Sequence, residues 1–126
     1  MKRVLVVEDN CDNMRLITYA LRRAGYEIIA AETGLQGVEL ALSEHPDFII
    51  MDINLPGIDG LEATRRIRKS SSNGSIPIIA ITSYAMAGDM NLVLSAGCTG
   101  YFEKPIDPLT IMDKIHALLG WAPPHP

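Results

Sequence analysis

RVLVVED at 3–9 and DFIIMD at 47–52 decide how this chain folds. Each is an unbroken apolar run closed by acid, and continuous hydrophobicity marks a parallel strand covered on both faces. Two further runs close on a polar residue: IPIIAIT (76–82) ends at Thr82 and GYFEK (100–104) at Lys104. If the four strands lie side by side, Glu8, Asp9, Asp52, Thr82 and Lys104 emerge together at the carboxyl edge of the sheet. Open α/β sheets bind ligands at that edge, in the crevice where the strand order reverses. Three carboxylates, a hydroxyl and an ammonium gathered there suit metal-assisted phosphoryl transfer.

Outward from these runs the chain alternates between strand and helix patterns. Strands are predicted at 3–9, 26–31, 47–53, 77–82 and 99–103. Amphipathic helices fall between them, with apolar faces of Ile17, Leu21 and Ala24, then Leu35, Val38, Ala41 and Leu42. The third carries Leu61, Thr64 and Ile67, the fourth Met90, Val93 and Leu94. The last has the clearest helical spacing, in Ile111, Met112, Ile115, Leu118 and Leu119. Gly25 and Gly97 stand where helix C-caps belong, and Asp107 is an N-cap candidate before Pro108 in a first turn. SSSNGS (70–75) reads as a flexible loop and WAPPHP (121–126) as a frayed, proline-rich tail. Neither an internal repeat nor a second domain is visible, so residues 1–120 are expected to form one domain with no output domain after it.

Right-handed βαβ crossovers then favour a doubly wound, three-layer α/β sandwich. Both Rossmann-like and flavodoxin-like topologies could use these elements. For Glu8-Asp9 to meet Asp52, strands 1 and 3 must be neighbours, which selects a five-stranded parallel sheet of flavodoxin-like order 2-1-3-4-5.

Composition narrows the function. Among 126 residues 48% are hydrophobic, and no apolar run reaches the roughly 18 residues that a membrane span needs. A net charge of −4 argues against nucleic acid as the partner, and Arg65, Arg66, Arg68 and Lys69 read as the solvated face of a helix. The opening MKRVLVVED turns acidic too soon for a signal peptide, and Cys11 and Cys98 have no framework spacing. Reduced thiols in a cytoplasmic protein are expected. GxxxxGK[ST] is missing, and so is GxGxxG after the first strand, where the turn reads EDNCDN (8–13). Acids in that place suit a hard cation: Mg²⁺ takes oxygen ligands and is usually held by one or two carboxylates plus a phosphate.

VLVVEDN (4–10), DFIIMDINLPGIDG (47–60), IPIIAITSYA (76–85) and GYFEKPID (100–107), in this order and spacing, resemble the receiver domain of two-component response regulators. The CheY-like resemblance covers about 1–120, and the EDNxxN opening looks like receivers of hybrid kinases and of DivK-type single-domain regulators. A free-standing receiver is the expectation, since the chain begins with Met1. The resemblance implies that Asp52 is the phosphoacceptor, charged from a phosphohistidine on a sensor histidine kinase or histidine phosphotransfer protein. It implies Mg²⁺ (with Mn²⁺ able to substitute) on Asp9, Glu8, Asp52 and the backbone carbonyl of Asn54. Lys104 would pair with a phosphoryl oxygen, and Thr82 and the backbone N–H of Ser83 would hydrogen-bond the bound group. A cis peptide at Lys104-Pro105 would aim the lysine and turn the chain into the last helix. Thr82 and Tyr101 match the family's switch pair, read by a downstream protein on the face of the fourth helix, fifth strand and fifth helix. Met86 and Met90 are candidates for apolar contacts there, and Tyr84 for a cover over the site. Cys11, Met14, Arg15 and the loop Ile106-Asp107-Pro108 flank the site and suit kinase docking.

Two other classes fit the residues less well. A phosphatase acting through an aspartyl phosphate needs a second acid two residues after the nucleophile, where this chain has Asn54. A degenerate receiver that only binds partners would have lost an acid, Asp52 or Lys104, and all are present.

Overall fold

Strands β1 (Arg3–Val7), β2 (Glu27–Ala31), β3 (Phe48–Asp52), β4 (Ile78–Thr82) and β5 (Gly100–Glu103) alternate with helices α1 (Cys11–Arg23), α2 (Gly34–Glu44), α3 (Gly60–Lys69), α4 (Ala87–Ser95) and α5 (Ile111–Leu119). The computed structural model describes residues 2–70, 74–83 and 87–120. The strands form one parallel sheet in the order β2-β1-β3-β4-β5. Register does the work that the acids require: Val7 pairs with Met51, so the next residues, Glu8 and Asp52, leave the sheet side by side.

Alternation along the strands feeds two apolar layers. Val4, Val6, Phe48, Ile50, Ile79 and Ile81 face α1 and α5, meeting Ile17, Leu21, Ile111 and Ile115. Leu5, Val7, Ile49, Met51, Ile78 and Ala80 face the other way, onto Ala41, Ala63, Ile67 and Val93. Full burial of a side chain such as Phe48 or Ile115 stabilises the fold by about 2–3 kcal/mol. No helix among the described residues is long and apolar enough to cross a membrane.

Helix α2 departs from the expected pattern. Leu35 and Leu42 are exposed (54% and 39%), and the face toward the core is Gly34, Gly37 and Ala41. A Cβ on Gly37 would stand 2.7 Å from Val7 Cγ2, and one on Gly34 the same distance from Ile58 Cγ1. The helix sits too close to its neighbours for leucines, so they turn outward. In α4, Val93 is buried while Leu94 faces solvent.

Helix ends follow side-chain chemistry. Asn10, Thr33 and Asp59 each accept the N–H of the residue three positions on, at Asn13, Gln36 and Glu62. Gly25 (φ +92°) and Gly97 (φ +111°) take the left-handed positions after α1 and α4. The regular part of α5 begins at Ile111, not Pro108. The N-cap is therefore Thr110 rather than Asp107; Asp107 instead closes the preceding turn, its carboxylate accepting the Leu109 N–H at 2.9 Å and its carbonyl those of Thr110 and Ile111. The expectations for Tyr84, Met86 and the 121–126 tail, and part of that for the 70–75 loop, lie outside the described residues.

Candidate metal and phosphoryl site

Four strand ends deliver the site. Glu8 and Asp9 follow β1, Asp52 ends β3, Thr82 ends β4, and Lys104 follows β5. Carboxylate oxygens of Glu8, Asp9 and Asp52 come within 4.8 Å of one another. Glu8 and Asp52 are each 1% exposed, whereas Asp9 is open to solvent. The Lys104 ammonium stands 3.1 Å from Asp52 Oδ1 and 3.5 Å from Glu8 Oε1, inserted into the acidic group as its counter-charge. The Lys104-Pro105 peptide is cis.

Two asparagines organise the acids. The Asn54 backbone N–H donates to Asp52 Oδ1 at 2.9 Å, and its side-chain oxygen accepts the Ser83 N–H at 3.4 Å, tying the β3 end to the β4 end. The Asn13 amide donates to Glu8 Oε1 at 2.9 Å. Burial, and next the neighbouring Asp52 carboxylate, push Glu8 up to about 7; Asn13 and Lys104 act in the opposite sense. Gly60 lets α3 start directly against the end of β3, because a Cβ there would clash with the Asp52 carbonyl oxygen.

The donor set is all oxygen, which suits a hard cation such as Mg²⁺. Among the described residues Glu8 Oε2 is buried with no hydrogen-bond partner, an orphaned acceptor that a cation would satisfy. The residues present therefore fit a metal.

Glu8, Asp9, Asp52 and Lys104 are thus brought together, with buried Thr82 and exposed Ser83 and Asn54 at the adjoining strand ends. Tyr101 stands apart. Thr82 pairs with Glu103, and Tyr101 lies two positions earlier on β5, half-buried at a surface cavity of about 320 Å³ shared with Phe102, Pro105, Ile111 and Lys114. Sequence reasoning gave Asn13 no role and Asn54 only its backbone. Asn13 could have been found: it follows the cap Asn10 by three residues, which brings it back over the strand end.

Residues 4–116 match the response regulator receiver domain family. The polar-differentiation response regulator DivK of Brucella ovis is 40% identical over 119 residues, covering 94% of this chain and 97% of that protein. The chemotaxis response regulator CheY4 of Vibrio cholerae superposes with a TM-score of 0.89 at 28% identity, over 94% and 98% of the two chains. The receiver domain of sensor histidine kinase PA1611 of Pseudomonas aeruginosa, solved with a magnesium ion coordinated in the active site cleft, is 36% identical with a TM-score of 0.86 over the same shares.

Proposed function

This chain belongs to the response regulator receiver family, and from that premise we propose that it accepts a phosphoryl group on Asp52 and signals by changing its protein contacts. A carboxylate oxygen of Asp52 attacks the phosphorus of a phosphohistidine on a sensor histidine kinase or histidine phosphotransfer protein. A P–O bond forms, the P–N bond breaks, and its electron pair returns to the imidazole. The transition state is loose, with charge spread over three equatorial oxygens, so positioning and charge stabilisation are what the site must supply. Lys104 leaves Asp52 Oδ1 to meet one phosphoryl oxygen, and the Thr82 hydroxyl with the Ser83 N–H meets another. Asp9, Glu8, Asp52 and the Asn54 carbonyl would hold Mg²⁺, which would supply positive charge to offset the negative charge of the cluster and the phosphoryl group.

Thr82, drawn toward the phosphoryl group, vacates space that Tyr101 follows into. That changes the surface of α4, β5 and α5, where a downstream protein reads the state. Asn54 in place of a second acid leaves no general acid–base pair for turnover on small molecules, so the chain promotes only its own phosphorylation and dephosphorylation, in the cytoplasm. The relative's magnesium supports the choice of ion.

The observation that carries this reading is Lys104 paired with a buried carboxylate, Asp52, inside a three-acid cluster. Incubation with Mg²⁺ and acetyl phosphate, followed by intact mass, tests it. One phosphoryl adduct is expected, lost in Asp52→Asn and with EDTA; no adduct with any phosphodonor would refute the proposal.

A further inference from the structure

Glu8 differs from its neighbours Asp9 and Asp52 in having one more methylene and one more rotatable bond. Such a side chain loses more freedom when a ligand fixes it. The structure limits that loss before any metal arrives. Asn10 caps α1 by accepting the Asn13 N–H at 3.0 Å, which sets the first turn of the helix. With that turn fixed, the Asn13 side chain donates to Glu8 Oε1 at 2.9 Å. Lys104 stands 3.5 Å from the same oxygen, while Oε2 is buried with no hydrogen-bond partner among the described residues. One carboxylate oxygen is therefore taken, and the other is left free to ligate.

We infer that Asn13 is a positioning residue for the metal, orienting Glu8 so that Oε2 is presented as a ligand. This rests on the proposed metal site and goes beyond it, since Asn13 touches neither metal nor phosphoryl group. It also gives a physical sense to EDNxxN: the first asparagine builds the helix start, and the second reaches back from it to the acid. Outer partners of this kind typically contribute ten- to a hundredfold to metal affinity. Asn13 is only half-buried and its backbone N–H keeps the Asn10 cap whatever its side chain, so its replacement by alanine leaves the helix start intact.

Calorimetric titration with Mg²⁺ tests the inference. Asn13→Ala should bind at least about tenfold more weakly than wild type with its thermal midpoint held, and Asn13→Gln should recover part of the loss. In a Glu8→Asp background, whose shorter carboxylate is withdrawn from the amide, Asn13→Ala should change affinity less than about twofold. Equal affinity of wild type and Asn13→Ala overturns the role of Asn13 alone, as does an equal loss in both backgrounds. Wild-type protein that takes no Mg²⁺ overturns the metal site, and the inference with it.

Discussion

The Lys104 ammonium forms an ion pair with the same oxygen of Asp52, Oδ1, that accepts the Asn54 N–H, with Nζ at 3.1 Å and the amide at 2.9 Å. The lysine side chain is 15% exposed against 1% for the carboxylate, so this pair is screened far less than a surface ion pair. Without the ammonium, Glu8 and Asp52 would face each other in low dielectric with only neutral amides to compensate them. Lys104→Met keeps the length and removes the charge. It should destabilise the metal-free protein by about 3 kcal/mol at pH 8, and saturating Mg²⁺ should recover most of that. Urea denaturation with and without Mg²⁺ measures both; a variant as stable as wild type at pH 8 without metal would show that the pair compensates little.

Glu8 should make binding at the proposed metal site depend on pH. Held up to about 7 by burial and by Asp52, it carries a proton in the metal-free protein below neutrality. Mg²⁺ must displace that proton, so affinity should fall as pH drops from 8 to 6, approaching tenfold per unit below the midpoint. The stability of the metal-free fold moves the other way. A carboxyl raised in the folded state binds its proton more tightly there than in the unfolded chain. Its contribution is therefore fully present below about 4.5 and lost as pH rises through about 7. Mg²⁺ titrations at pH 6, 7 and 8 should show the slope, and Glu8→Gln should flatten it.

These two residues mark where sequence was sufficient and where it was not. The end of an apolar run tells which side chain leaves the sheet, so linear order alone places Glu8, Asp52 and Lys104 at one edge. The acids also selected the strand order, because only adjacent β1 and β3 let them meet. Distances between strand ends depend on register and loop path, and linear order does not encode these. Hence the bridge from Asn54 to Ser83 was not legible. In α2 the expected face is met at Val38 and Ala41 but not at Leu35 and Leu42, for a related reason: periodicity names an apolar face, but the closeness of Val7 and Ile58 decides that Gly37 and Gly34, not the leucines, occupy the inward side.

Gly60 should be sensitive out of proportion to its size. The clash that a methyl group would meet there is with backbone, at the Asp52 carbonyl oxygen, so no side-chain rotation relieves it. Either the start of α3 or the end of β3 must move. Gly60→Ala should cost about 1–3 kcal/mol and slow labelling by acetyl phosphate, since the strand end that moves carries the proposed acceptor. Gly57→Ala serves as the contrast: among the described residues its added Cβ meets nothing within 4 Å, so it should suffer only the strain of its positive φ. Labelling rates of both variants, normalised to folded fraction, separate steric displacement of Asp52 from general loss of stability.

On the opposite side of the sheet His116 is buried in α5, its Nε2 2.8 Å from the Tyr26 hydroxyl, and the Tyr26 ring meets Phe48 edge-on at 5.6 Å. Burial holds the imidazole below its ordinary value of 6.5, with Asp113 acting in the opposite sense. The unfolded chain therefore takes the proton first as pH falls. The stabilising contribution is fully present above 6.5 and is lost as pH falls through the lower value of the folded state. This slope opposes that of Glu8, so it is best isolated as the difference between wild type and His116→Gln, which can still hydrogen-bond but does not titrate. That difference should shift against wild type between pH 7 and 5.5. Tyr26→Phe, which leaves the buried imidazole without its partner, should cost about 1–2 kcal/mol at pH 7.5. A wild type and His116→Gln whose denaturation midpoints stay parallel across this range would show that His116 titrates alike in the folded and unfolded states.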